Sequence, residues 1–133
     1  MQQKLIFFSF GTNDLTQGTF SYSLEDSEQK FLPKYVELNI LPSNPFEILD
    51  RPCVGQVMDI AVKKGRATRL NLHVCICGEY EGEPSSIELC NMIWLNYVSY
   101  SYFRISVARI ATTQAQITHP RKWFYFFDAF LFF

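Results

Sequence analysis

The chain opens with an apolar run, Leu5-Ile6-Phe7-Phe8 and then Phe10, which is hydrophobic at both odd and even positions. Such a run predicts a short strand covered on both faces, as in a parallel sheet flanked by helices. It stops abruptly in Gly-Thr-Asn-Asp, so a polar cluster is expected at the carboxyl end of the first strand. Residues 18–52 read as a long connection with a short helix around Asp26 to Tyr35, interrupted by Pro33. In "VGQVMDIAVKKG", Val54, Val57, Met58 and Ala61 recur at helical spacing, with Gly65 as the expected stop. A second strand spans roughly Leu70 to Ile76 and ends in Cys77-Gly78-Glu79. A helix then starts at Pro84 and turns Ile87, Cys90 and Ile93 inward. The stretch "LNYVSYS" predicts a third strand. A last helix follows from about Ile105 to Ile117, with Val107, Ala108, Ala111 and Ala115 as its apolar stripe.

Three successive strand-helix units imply an α/β fold with parallel strands and right-handed crossovers. A closed eight-stranded barrel takes about 250 residues. A chain of 133 residues is therefore expected to form either a small open sheet or a piece of something larger. From Pro120 the pattern changes. The last eleven residues hold eight aromatics with no helix or strand period, so 118–133 reads as an atypical aromatic-rich tail, foreign to the rest and prone to aggregate if exposed. That tail is too short to cross a membrane and contains Asp128, and against the alternative of a membrane-surface anchor stand its poor amphipathic moment and few basic residues, so no membrane partner is expected.

Composition adds bounds. With 48% hydrophobic and 19% charged residues, the chain can build a core, and its formal charge of −1 gives no support for a nucleic-acid partner. Lys63, Lys64, Arg66 and Arg69 read as a solvated helix end. The four cysteines, at 53, 75, 77 and 90, form neither a CxxC pair nor a disulfide framework. His73 and His119 complete no zinc pattern. Reduced thiols and the lack of a signal-peptide pattern predict an intracellular protein, in the cytoplasm or an organelle matrix.

The carboxyl ends of parallel strands are where such folds bind ligands. There Gly11 lets backbone approach a ligand, Thr12 and Asn13 offer hydrogen bonds, and Asp14 offers the hard oxygen that Mg²⁺ prefers. The same stretch also reads as a strand followed by an ordinary Asx turn. Cys77, taken alone, also reads as an inert buried thiol.

Three motifs, "FFSFGTNDLTQ" (7–17), "ICGEYEGEPSS" (76–86) and "LNYVSYSYFRISVARIATTQAQI" (95–117), together resemble the carboxyl-terminal phosphoenolpyruvate-binding barrel of the pyruvate, phosphate dikinase family. "KFLPKY", "NPFEILD" and "VGQVMDIAVKKGR" match as well, so the resemblance covers residues 4–117. GTNDLTQ alone would also suit phosphoenolpyruvate synthase or the first enzyme of the sugar phosphotransferase system. Gly-Glu-Pro-Ser-Ser after "CGE", together with "FRxxxAR", favours the dikinase. The resemblance implies a partial (β/α)8 TIM barrel, its last three βα units. It implies phosphoryl transfer between a phosphohistidine and pyruvate or phosphoenolpyruvate through an enolate, with Mg²⁺ as cofactor. Gly11, Thr12, Asn13 and Asp14 would bind substrate, Asp14 the metal, and Cys77 would be the general acid/base at the methyl carbon. ATP and phosphate would act only through domains this chain does not encode, and the parent would be a homodimer. By itself the chain is expected to be inactive. The alternative is a noncatalytic remnant acting as an interaction module through exposed edges or the tail.

Several positions depart from the family's pattern. Tyr80-Glu81 stands for His-Gly, Tyr100-Ser101-Tyr102 for Cys-Ser-Pro, Ser106 for a proline, Cys53 for a glycine, and Trp94 for a glycine at a place where overpacking is expected.

Overall fold

The computed structural model describes residues 6–78 and 82–121 with their side chains, and the backbone of 128–131. Its elements run β1 (Phe7–Gly11), α1 (Thr12–Phe20), α2 (Leu24–Lys30), α3 (Leu32–Glu37), α4 (Gln56–Thr68), β2 (His73–Cys77), α5 (Pro84–Met92), β3 (Tyr97–Tyr100), α6 (Ile105–Thr118) and β4 (Asp128–Leu131). The strands lie in chain order and every neighbouring pair is parallel. This is the α/β architecture that the alternating pattern predicts.

One sheet face carries Phe10, Val74, Ile76, Val98 and Tyr100, and it packs on Met58 and Val62 of α4, Ile87 and Cys90 of α5, and Ala108 and Ala111 of α6. Each fully buried aliphatic side chain there stabilises the fold by roughly 1.5–3 kcal/mol. The small alanines of α6 let it lie close against α5. Ile6, Phe7 and Phe8 are exposed, contrary to a strand covered on both faces, because β1 pairs only with β2 among the described residues.

Some element details differ from the sequence pattern, each for a physical reason. Pro33 does not interrupt a helix. It sits in the first turn of α3, where its missing N–H costs nothing, and α2 stands separately before it. Gly65 does not stop α4, which continues to Thr68. A Cβ at Gly65 would come within 2.7 Å of Leu72 Cδ2, so the glycine is there for close packing of the helix on the chain entering β2. Val57 and Val107 face outward, and Val62 takes the inward place on α4. β4 forms in the aromatic-rich stretch where no element was expected, with Tyr97 in register with Asp128; aromatic residues favour strands.

Trp94 is the left-handed residue of a Schellman motif that ends α5. Its N–H bonds Asn91 O at 3.1 Å, and the Leu95 N–H bonds Cys90 O at 3.0 Å. Its φ is 64° and the residue is 41% exposed. The expected overpacking is therefore not the difficulty at this position; the backbone conformation is. Arg121 closes the same helix end. Its guanidinium donates to the carbonyls of Cys90, Asn91 and Leu95 and lies 5.6 Å from the Trp94 ring. Burial there pushes the Arg121 pKa down to about 10.

Candidate active site

Along β1, alternation puts Phe7, Ser9 and Gly11 on the sheet face opposite the helices, and the parallel register sets Gly11 beside Cys77. Cys75, Cys77, Tyr97 and Ser99 share that face. With Phe7 and Ser9 they line an open groove of about 440 Å³, a volume typical of small-molecule sites. Phe7 and Tyr97 stack across it at 6.0 Å.

The Cys77 thiol is exposed at the mouth of this groove. Ser9 Oγ donates to its sulfur at 3.1 Å, and the thiol is 3.5 Å from the Phe10 carbonyl as donor. A hydroxyl aimed at the sulfur can solvate negative charge that develops there. Cys75 is buried below it. Burial, together with a hydrogen bond to Cys75, pushes the Tyr97 hydroxyl up to about 12, so it remains a neutral donor at ordinary pH.

Asp14 is exposed in the first turn of α1. A Cβ built at Gly11, which would point to the groove face, meets Asp14 Oδ2 at 3.6 Å, so the carboxylate folds back over the strand end that adjoins Cys77. The N-cap of α1 is Gly11, which has no side chain to cap the helix. Thr12 and Asn13 are placed differently. Both line a separate small cavity on the helix side, with Phe46, Ile76 and Ser86. Gly11, Asp14 and Cys77 thus come together at one edge, whereas Thr12 and Asn13, expected beside them, line the cavity on the helix side instead, because α1 begins at Thr12 and turns both side chains away from the groove.

Glu79, Tyr80 and Glu81 lie outside the described residues. Beyond them, Gly82 lies under the stem of Arg104; a Cβ there would fall 2.3 Å from Arg104 Cδ, so no side chain fits. Gly82, ahead of α5, and Arg104, ahead of α6, are thereby packed on each other. Glu83 N-caps α5. Its partial burial raises its pKa, but donors from the amides and hydroxyls of Ser85 and Ser86 outweigh that and leave it lowered. No group of three or more His, Cys, Asp or Glu side chains able to hold a metal occurs among the described residues. Asp14 offers one exposed carboxylate, and a Mg²⁺ ion held by one carboxylate needs substrate oxygens and water, or further ligands, to complete its shell.

Ser9, Tyr97 and Ser99 were not singled out in the sequence. Counting back by two from Gly11, and along "NYVSYS", was the signal that could have found them.

The family described as PEP-utilising enzyme, PEP-binding domain, matches residues 1–117. The chain belongs to this family. It is 77% identical over 116 residues to a pyruvate, phosphate dikinase of Entamoeba histolytica, covering 87% of this chain and 13% of that protein. With the pyruvate, phosphate dikinase of Clostridium symbiosum it shares 53% identity over 113 residues, covering 85% and 13%. With pyruvate, phosphate dikinase 2 of Oryza sativa subsp. japonica it shares 51% over 111 residues, covering 84% and 12%. The chain is a homologue of their PEP-binding domain and spans about an eighth of their length. No helix among the described residues is long and apolar enough to cross a membrane.

Proposed function

We propose that this chain carries part of the phosphoenolpyruvate/pyruvate site of a pyruvate, phosphate dikinase-like protein and that it does not turn over by itself. The observation that supports this most is the pairing of Gly11 with Cys77, with the Asp14 carboxylate folded over the same strand end. In this reading the sheet is part of a (β/α)8 barrel, and further strands beyond β1 carry the remaining contacts to substrate.

The start of α1 and Gly11 receive the anionic end of the three-carbon acid. In the direction that forms phosphoenolpyruvate, the Cys77 thiolate takes a proton from the methyl carbon, leaving a thiol and an enolate. The enolate oxygen accepts the phosphoryl group from a phosphohistidine of another domain, which leaves neutral histidine. In reverse, the thiol returns the proton to carbon. Ser9 steadies the sulfur in both charge states, and Phe7 and Tyr97 wall the groove. Asp14 would hold Mg²⁺, which when bound supplies electrostatic stabilisation for negative charge on substrate oxygens. ATP and phosphate would act through other domains of a homodimeric, intracellular parent.

The test is exchange of the pyruvate methyl protons in D₂O, followed by proton NMR. The chain alone is expected to give no exchange. Fusion to the preceding barrel segment of the Entamoeba relative is expected to restore it, and Cys77→Ala to abolish it in that fusion. Exchange that survives Cys77→Ala would overturn the role of the thiol, and exchange by the chain alone would overturn its inactivity. A second reading, a noncatalytic interaction module, is favoured by the exposure of Ile6, Phe7 and Phe103. It predicts no exchange even in the fusion.

A further inference from the structure

β4 (Asp128–Leu131) lies beyond residue 117, where the family match ends, yet it continues the sheet. It pairs parallel with β3 along the whole of that strand, from Tyr97 with Asp128 to Tyr100 with Leu131, whereas β3 is in register with β2 only at Tyr97 and Val98. Parallel neighbours need a crossover of about a dozen residues or more, usually with a helix, and α6 supplies it. The outer edge of β3 is thus closed by a strand that the family-matched part of the chain does not contain.

That position matters in a barrel. A closed barrel has no edges, so its last strand pairs with its first. If β3 ends the barrel, its outer edge belongs to the first barrel strand, which the proposed function places beyond β1. Successive residues of a parallel strand turn their N–H and C=O groups to opposite neighbours, so one edge offers a single row of such groups. Two strands cannot use that row at once.

We propose that β4 is a substitute strand, which covers the β3 edge in place of the strand that would close the barrel and competes with it for the same backbone groups. The cover leaves β1 as the open edge of the sheet among the described residues. The competition lowers the population of closed barrel in a longer chain that keeps this tail. The edge cover stands on the sheet alone; the competition rests on the proposed function.

Hydrogen exchange read by mass spectrometry tests both parts without any activity. In the full 133-residue chain, the β3 and β4 peptides are expected to be protected. In Ala129→Pro/Phe130→Pro, one of the two prolines falls where an N–H faces β3, so the β3 peptide is expected to exchange about tenfold faster while β2 stays protected. A chain ending at Arg121 is expected to behave alike. Unchanged β3 exchange in both variants overturns the cover, because β4 is then not paired. Loss of β2 protection in both overturns it too, because β4 is then integral to the fold. In the fusion to the preceding barrel segment, β4 is expected to lose its protection while β3 keeps it; a β4 as protected there as in the separate chain overturns the competition. Trimming the tail from that fusion is expected to raise pyruvate methyl exchange several-fold. A fusion with β4 displaced and no methyl exchange defeats the proposed function and leaves the competition standing.

Discussion

Trp94 holds a left-handed backbone that costs a residue with a Cβ about 1–2 kcal/mol and costs glycine almost nothing. Its ring recovers part of this by lying over the Arg121 guanidinium, a contact worth about 0.5–1 kcal/mol. Two substitutions separate these effects. Trp94→Ala keeps the strain and loses the contact, whereas Trp94→Gly loses both. The glycine variant is expected to be more stable than the alanine variant by about 1 kcal/mol in urea unfolding; equal stabilities would show that φ is not the issue. At Cys77 the decisive neighbour is Ser9, whose hydroxyl donates to the sulfur. Ser9→Ala is expected to slow alkylation of Cys77 by iodoacetamide several-fold, read cysteine by cysteine by mass spectrometry, with exposed Cys53 as the internal standard. An unchanged rate at Cys77 would remove Ser9 from the proposed chemistry.

Among the elements, α5 is where polar contacts concentrate, and it should respond to acid. Glu88 on α5 accepts from Arg51, which lowers its pKa. Burial opposes this, and His119, at the end of α6, lowers it further. A carboxylate whose folded pKa lies below its ordinary value of 4.5 gives stability that is fully present above that value and is lost as pH falls through the folded pKa. Urea midpoints should therefore decline below about pH 4.5. Glu88→Gln should make that decline shallower, by less than about 1 kcal/mol for a partly exposed pair. It should not abolish it, because Glu83 titrates in the same sense. The apolar periodicity that placed α4, α5 and α6 in the sequence is a local property, so it could be read directly. Gly65 was misread as a stop because its reason is Leu72, a partner that only the packed helix meets. The site divides in the same way. Gly11 beside Cys77 follows from strand ends and parallel register, and Ser9 from alternation. The turn of Asn13 to the helix side depends on where α1 begins, and no spacing in the sequence encodes it.

At the scale of the whole molecule, the described residues cover the sheet on one face only. Its helix side is a packed core, while the groove side is open and the β1 edge carries exposed Ile6, Phe7 and Phe8. An exposed, apolar edge strand offers unpaired backbone groups to any other strand, and charges on such edges are how natural sheets prevent this pairing. The separate chain is thus expected to self-associate, its weight-average mass in sedimentation rising with concentration. Ile6 is 64% exposed and belongs to no buried cluster, so Ile6→Lys should reduce association while leaving the urea midpoint within about 0.5 kcal/mol of the parent. If Ile6→Lys associates as strongly as the parent, the contact lies elsewhere, and the exposed Phe103, Ile110 and Ile117 of the α6 side become the surface to charge next. If it unfolds the chain, Ile6 contributes to the fold despite its exposure. A parent that stays monomeric at every concentration would mean that the open face and the β1 edge do not pair between copies.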